Sequence, residues 1–160
     1  MGLEIVTRKD HQFMEMCKAA AGIFSTCSRR QYAAFVVSSD NRVVSMGYNG
    51  VPPGLDHCID GGCPRGNPES GAVHGADYSN CYATHAEANA LLHSRGIPDG
   101  SRLYINGPPC FDCAKLIANT NIKEVFYIYD RSYPQWAEVQ SFFSRVGVQT
   151  ICMGDNGASK

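Results

Sequence analysis

Two short stretches carry residue types that could do chemistry together. Residues 84–93, THAEANALLH, set an imidazole (His85) and a carboxylate (Glu87) two positions apart, and residues 108–113, PPCFDC, set two thiols (Cys110 and Cys113) three apart. One imidazole and two thiolates make the three-ligand set of a catalytic zinc site, which leaves a fourth position for water. Bound zinc lowers the pKa of that water from about 15.7 toward about 7, giving hydroxide at neutral pH. On a continuous helix Glu87 would lie about 200° round from His85, a poor geometry for two ligands of one ion. If His85 stands at the helix entry, Glu87 faces the water instead, where it can move protons as a general acid and base.

These residues need elements that aim them at one point. Apolar residues at Phe13, Met16, Cys17, Ala20, Ile23 and Phe24 predict a first helix over 9–24. QYAAFVVSS and RVVSMGYNG, joined by SDN, predict a β-hairpin. Residues 51–80, crowded with Gly, Pro, Asp, Asn and Ser, predict a long loop. HAEANALLHS then predicts a helix stopped by Gly96 and Pro98, SRLYINGP a strand, PCFDCAKLIANT a helix with proline in its first turn, and KEVFYIYD a strand. PQWAEVQSFFSRVG predicts a last helix, with Trp136, Val139, Phe142, Phe143 and Val146 apolar, before a brief strand, VQTIC. The alternation implies an α/β domain: a mixed sheet with helices on both faces, whose ligand site lies where strand ends meet helix starts.

The 160 residues suit one domain, 1–160, and 44% apolar content argues against disorder. A net charge of -1 without a block of lysine or arginine disfavours a polymeric nucleic acid as partner. No transmembrane run or internal repeat is found, and MGLEIVTRKD carries no apolar stretch of signal-peptide length, so a cytoplasmic location is expected. The eight cysteines are then expected as reduced thiols rather than a disulfide framework, with Cys17 and Cys152 as small buried apolar residues.

HxE followed, 24 residues after His85, by PCxxC is the pattern of zinc deaminases. With CSRRQYAAFVV, GYNGVPPGLDHC, THAEANALL and PPCFDCAKLIANTNIKEVFYIYD, the sequence resembles the deoxycytidylate (dCMP) deaminase family of the cytidine deaminase-like superfamily. The resemblance implies a three-layer fold around a mixed five-stranded sheet and hydrolysis of dCMP to dUMP and ammonia, which would supply thymidylate synthesis. It puts His85, Cys110 and Cys113 on Zn2+ and makes Glu87 the acid and base. Asn49 corresponds to the asparagine that contacts the sugar, although a turn residue in YNG is an equally natural reading. Ala86, Arg131 and Tyr133 are further substrate candidates. Arg29, Arg30 and Lys115 also stand as candidate phosphate donors, with the segment of Arg131 and Tyr133 favoured.

Some members of the family hold a second, structural zinc. Cys27, Cys58, Cys63 and Cys81 are candidate ligands here, with His57 and His74 nearby, and unpaired thiols are the competing reading. Allosteric members bind dCTP or dTTP with Mg2+ beside the GYNG loop, here Gly47, Tyr48, Asn49 and Gly50, at an interface of a homo-oligomer, hexameric or dimer-based. Residues 64–80 form a longer stretch than in many members. Asn121 and Ala33 replace common glycines, Asn121 at a helix end where a left-handed conformation is expected. Two other functions stay open: deamination of another cytosine nucleotide, nucleoside or aminopyrimidine, and a catalytically silent zinc-stabilised binding module.

Overall fold

The computed structural model describes residues 5–66 and 80–156. The chain runs α1 (Arg8–Phe24), β1 (Ala33–Val37), β2 (Val43–Tyr48), two 3-10 turns (Cys58–Asp60 and Pro64–Gly66), α2 (Ala86–Leu92), β3 (Ser101–Ile105), α3 (Phe111–Ala118), β4 (Ile122–Tyr129), α4 (Trp136–Arg145) and β5 (Gln149–Asp155). The sheet order is β2-β1-β3-β4-β5, with β1 antiparallel to both neighbours and β3, β4 and β5 parallel. This is the mixed five-stranded sheet expected. No described helix is long and apolar enough to cross a membrane.

Strand periodicity divides the core. Ala34, Val36, Leu103, Ile105, Val125 and Tyr127 face one side, where Ala86 and Ala90 of α2, Ala114 and Ile117 of α3, and Trp136, Val139 and Phe143 of α4 cover them. Ala33, Phe35, Val37, Tyr104, Phe126 and Ile128 face the other side, under α1. Three helices therefore pack on one face and one on the other.

The α1 stripe is rotated from the sequence expectation. Its buried side chains are Asp10, Phe13, Met14, Cys17, Ala20 and Ala21, whereas Met16, Ile23 and Phe24 are exposed. The buried carboxyl of Asp10 fixes this rotation. It accepts from the Thr7 backbone N–H (2.7 Å) and hydroxyl (2.6 Å), from the Tyr104 hydroxyl (2.5 Å) and from Arg102 (3.3 Å). Burial alone would raise its pKa, but the bonds from Thr7 and Tyr104 and the Arg102 charge outweigh burial and hold it below its ordinary value. Three smaller expectations also fail. Pro108 and Pro109 precede the α3 cap, Cys110, rather than sitting in its first turn. Cys152 is exposed and bonds the Gly154 carbonyl. Asn121 is not left-handed, since Asn41 is the one described non-glycine residue with positive φ; its amide donates to the Ile97 carbonyl instead.

The sheet positions the site by ending all its relevant strands together. Ala33 at the start of β1 pairs with Tyr48 at the end of β2, and Ala34 pairs with Ile105 at the end of β3. Ile105 in turn pairs with Tyr127 near the end of β4. Helix α2 lies very close over β2: the Ser45 hydroxyl donates to the Ala90 carbonyl (2.8 Å) and Asn89 donates to the Tyr48 carbonyl (2.8 Å). A Cβ on Gly47 would fall 2.3 Å from the Ala90 nitrogen and 2.4 Å from the Ala86 oxygen, so only glycine fits.

Asp10→Asn should destabilise the fold by about 1–3 kcal/mol near neutral pH. A carboxylate with a depressed folded pKa stabilises above its unfolded value, ordinarily 3.8, and that contribution fades as pH falls through the folded value. Urea unfolding of both proteins should therefore show a gap at pH 5–7 that narrows below pH 3.8. Gly47→Ala should cost at least about 1–3 kcal/mol by forcing α2 off β2, read as a lowered Tm.

Candidate metal centre and active site

His85 and Cys110 are the N-caps of α2 and α3, both in extended backbone (φ -68, ψ 153 and φ -74, ψ 169), and Cys113 lies in the first turn of α3. His85 is thus at the helix entry, and its neighbour Thr84 is paired with Gly50 just beyond β2 (N to O distances of 2.8 and 3.3 Å). The end of the GYNG stretch therefore anchors the segment that delivers the imidazole.

The three side chains converge. His85 Nδ1 lies 3.4 Å from Cys110 Sγ and 3.5 Å from Cys113 Sγ, and all three ligand atoms fall within 4.8 Å of one another. Ordinary Zn–N and Zn–S bonds at a tetrahedral angle require an N···S separation of about 3.6 Å. The donor set therefore fits zinc in chemistry and spacing. It is one ligand short of tetrahedral, and it is the one such cluster among the described residues.

Hydrogen bonds within the cluster and burial set the ionisation of its members. The Cys113 hydrogen bond, with His85 and the Cys113 backbone N–H, holds the Cys110 thiol at about 4. The Cys110 bond raises His85 to about 9 against the effect of burial. Cys113, bonded to Cys110 and buried, is pushed up as its partner takes the negative charge. Glu87, in the first turn of α2, is 5% exposed, and its carboxyl is close enough to the Cys113 thiol for each to influence the other's ionisation. Burial raises it to about 7, with His85 opposing.

The substrate candidates are placed differently from one another. Ala86, almost fully buried, opens α2 beside His85. Tyr133 packs against the core, and its hydroxyl is pushed up to about 12 by burial and by the nearby Cys110, Glu87 and Cys113 groups, so it borders the metal centre. Arg131 directs its guanidinium to Asp155 (3.4 Å) at the end of β5. Asn49 is 7% exposed and heavily engaged. Its Oδ1 accepts from the Ser25 hydroxyl (2.5 Å) and the Tyr32 N–H (2.9 Å), and its Nδ2 donates to the Arg30 carbonyl (2.8 Å). One amide hydrogen remains for a ligand.

Ser25, Tyr32 and Asn106 escaped the sequence reading. Asn106, just past β3, accepts from the Ala33 N–H (2.9 Å) and donates to the Gln31 carbonyl (3.0 Å), repeating what Asn49 does one residue earlier. A signal existed: each asparagine ends a strand and precedes a glycine, in YNG and ING. Tyr32 packs over Gly107, where a Cβ would lie 2.4 Å from its ring.

The four remaining candidate thiols are neighbours without closing to the spacing of the first cluster. Cys58 and Cys63 are buried, and Cys27 and Cys81 partly so. The Tyr82 N–H donates to Cys63 Sγ at 3.3 Å, and the Ser28 hydroxyl lies 3.3 Å from Cys58 Sγ. His57 precedes the first 3-10 turn without capping it, and His74 lies outside the described residues.

The family model for the cytidine and deoxycytidylate deaminase zinc-binding region matches residues 7–129. The deoxycytidylate deaminase of Mycobacterium phage D29 is 44% identical over 124 residues, covering 74% of this chain and 92% of its own. That of Schizosaccharomyces pombe is 38% identical over 142 residues, covering 88% of this chain; the chain spans only 42% of that longer protein. The crystal structure of dCMP deaminase from cyanophage S-TIM5, in complex with dCMP and dUMP, superposes with a TM-score of 0.71 at 26% identity, covering 94% of this chain and all of that one. With its His–Cys–Cys cluster at the meeting of two helix starts and the family match running from α1 through β4, the chain belongs to the cytidine and deoxycytidylate deaminase family of zinc-binding proteins.

Proposed function

We propose that the protein hydrolyses dCMP to dUMP and ammonia, with His85, Cys110 and Cys113 holding one Zn2+ and Glu87 carrying protons. The observation behind this reading is a buried carboxyl, raised to about 7, beside three metal donors that leave a coordination position free. The substrate is supported by the relatives named deoxycytidylate deaminase and by the dCMP- and dUMP-bound structural neighbour.

Zinc, when bound, supplies the Lewis acid that makes water nucleophilic at neutral pH. Glu87 does the proton work. Its carboxylate takes a proton from the attacking water and delivers it to ring nitrogen N3, then takes the remaining proton from the oxygen now bonded to C4 and carries it to the 4-amino group. The C4–N bond breaks, ammonia leaves, and the water oxygen remains as the uracil carbonyl. A carboxyl that titrates near neutrality suits a group that must both accept and donate. Asn49, through its remaining amide hydrogen, and Tyr133, at the border of the metal centre, hold the sugar and ring, with the Ala86 N–H alongside.

A second Zn2+ at Cys27, Cys58, Cys63 and Cys81 is part of the proposal. It is supported by four thiols with no disulfide partner, two of them buried, gathered from three segments. The effector role of Gly47, Tyr48, Asn49 and Gly50, with Mg2+ and dCTP or dTTP, is supported by the resemblance and by Tyr48, exposed and stacked on Phe24 at 5.6 Å. Adding either triphosphate to the dCMP assay tests it.

Glu87→Gln should keep the fold and the zinc while kcat on dCMP falls by about 10²–10⁴-fold. Cys113→Ser should lose metal and activity together; full zinc occupancy at an unchanged rate would refute the ligand assignment. Metal analysis of the purified protein should give two zinc ions per chain, falling to one in Cys58→Ser with a lower Tm.

A further inference from the structure

The chain passes from the end of β3 at Ile105 to the α3 cap at Cys110 through Asn106, Gly107, Pro108 and Pro109. The rings of the two prolines fix their φ angles, and Pro109 is fully buried, so the second half of this turn is stiff. The direction in which the chain carries Cys110 away from the sheet is therefore set at Asn106 and Gly107.

Asn106 is held from three sides. Its Oδ1 accepts from the Ala33 N–H at the start of β1 (2.9 Å), and its Nδ2 donates to the Gln31 carbonyl (3.0 Å). Its backbone carbonyl accepts from the side-chain amide of Asn156, just past β5 (3.3 Å). The strand beside β3 and the far edge of the sheet are thus both tied to the residue that opens the turn. Gly107 is enclosed in another way. It is buried, and a Cβ on it would fall 2.4 Å from the Tyr32 ring, which packs against the core. Its φ is not in the left-handed region, so glycine is needed here for space rather than for conformation.

We propose that Asn106 is a positioning residue for the metal centre. By fixing the start of the β3–α3 turn, with Tyr32 packed on Gly107, it holds Cys110 Sγ at the separation from His85 and Cys113 that a shared ion needs. The inference rests on the reading of these three residues as zinc ligands. His85 Nδ1 and Cys110 Sγ already lie 3.4 Å apart in the metal-free protein. Donors held in advance near their bonding positions need little ordering when the ion arrives, and affinity rises accordingly. Asn106 acts through the backbone, four positions before the ligand. Its loss leaves the donor set intact and loosens the aim of one donor.

The test compares wild type, Asn106→Ala, Asn106→Asp and Asp10→Asn, each loaded with cadmium and read by cadmium NMR. A site of one nitrogen and two sulfurs resonates apart from a four-sulfur site, so this centre is seen separately from Cys27, Cys58, Cys63 and Cys81. Retention of the ion is followed on that resonance as a chelator is titrated in. Asp10 lies under α1 on the other face of the sheet, so Asp10→Asn controls for general loss of stability. Asn106→Ala should hold the ion about 10-fold more weakly, with its resonance shifted. Asn106→Asp keeps the acceptor for Ala33, loses the donor to Gln31, and should fall between. Asp10→Asn should match wild type in both readouts despite a lower Tm. Wild-type retention and resonance in Asn106→Ala, or an equal loss in Asp10→Asn, overturn the assignment. Should Asn106→Ala fail to fold, Asn106→Asp decides, and wild-type behaviour in it overturns the assignment equally. A wild-type protein without a resonance from a site of one nitrogen and two sulfurs overturns the ligand reading, and the inference with it.

Discussion

The molecule depends on bringing two helix starts to one point. Three donor atoms from α2 and α3 must come within a few ångströms, and each helix is placed by a different part of the sheet. α3 follows β3 directly, so the position of Cys110 is set by where β3 ends. α2 follows a long connection and has no such tether of its own. It is fixed by lying against β2 at Gly47 and by the Gly50–Thr84 bridge just ahead of His85. The antiparallel half of the sheet thus positions the imidazole, and the parallel half positions the thiols. β1, fully buried and bonded to both β2 and β3, keeps the two halves in register.

Burial does the second part of the work. Glu87 is an acid kept out of water on a seven-residue helix whose N-cap is His85. Its ionisation is therefore governed by what lies beside it rather than by bulk solvent. The sheet itself separates the two cores of the domain. The face under α1 holds no described residue of the site and contributes stability through Asp10, Tyr104 and aromatic packing, with Tyr104 stacked on Phe126 at 4.7 Å. The face under α2, α3 and α4 carries the chemistry.

Much of this was legible in the sequence, for local reasons. HxE and PCxxC place their residues within one helical turn, and every predicted helix and strand has its counterpart, because hydrophobic periodicity is also a local property. The misreadings were non-local. The α1 stripe was assigned to Met16 and Ile23 because apolar residues were expected to face inward, yet a buried Asp10 satisfied by Tyr104, 94 positions away, sets the rotation. Asn106 and Tyr32 were missed because their roles join residues distant in the chain, 73 apart for Asn106 and Ala33. Arg30 reaches Ser132 across 102 positions, and spacing alone could not separate it from the other surface cations.

The two asparagines that hold segment 30–33 are each followed by glycine, Gly50 and Gly107. An Asn–Gly pair is the sequence most prone to deamidation, because the unhindered glycine nitrogen attacks the side-chain amide. In the folded protein each amide is pinned by hydrogen bonds, and the Gly50 nitrogen is itself bonded to Thr84. The fold therefore protects its own chemical integrity. Once unfolded, the chain ages: conversion of Asn49 or Asn106 to a carboxylate removes the donor that Arg30 or Gln31 accepts, and refolding cannot repair it. The lifetime of the active protein is tied in this way to how seldom this end of the sheet opens.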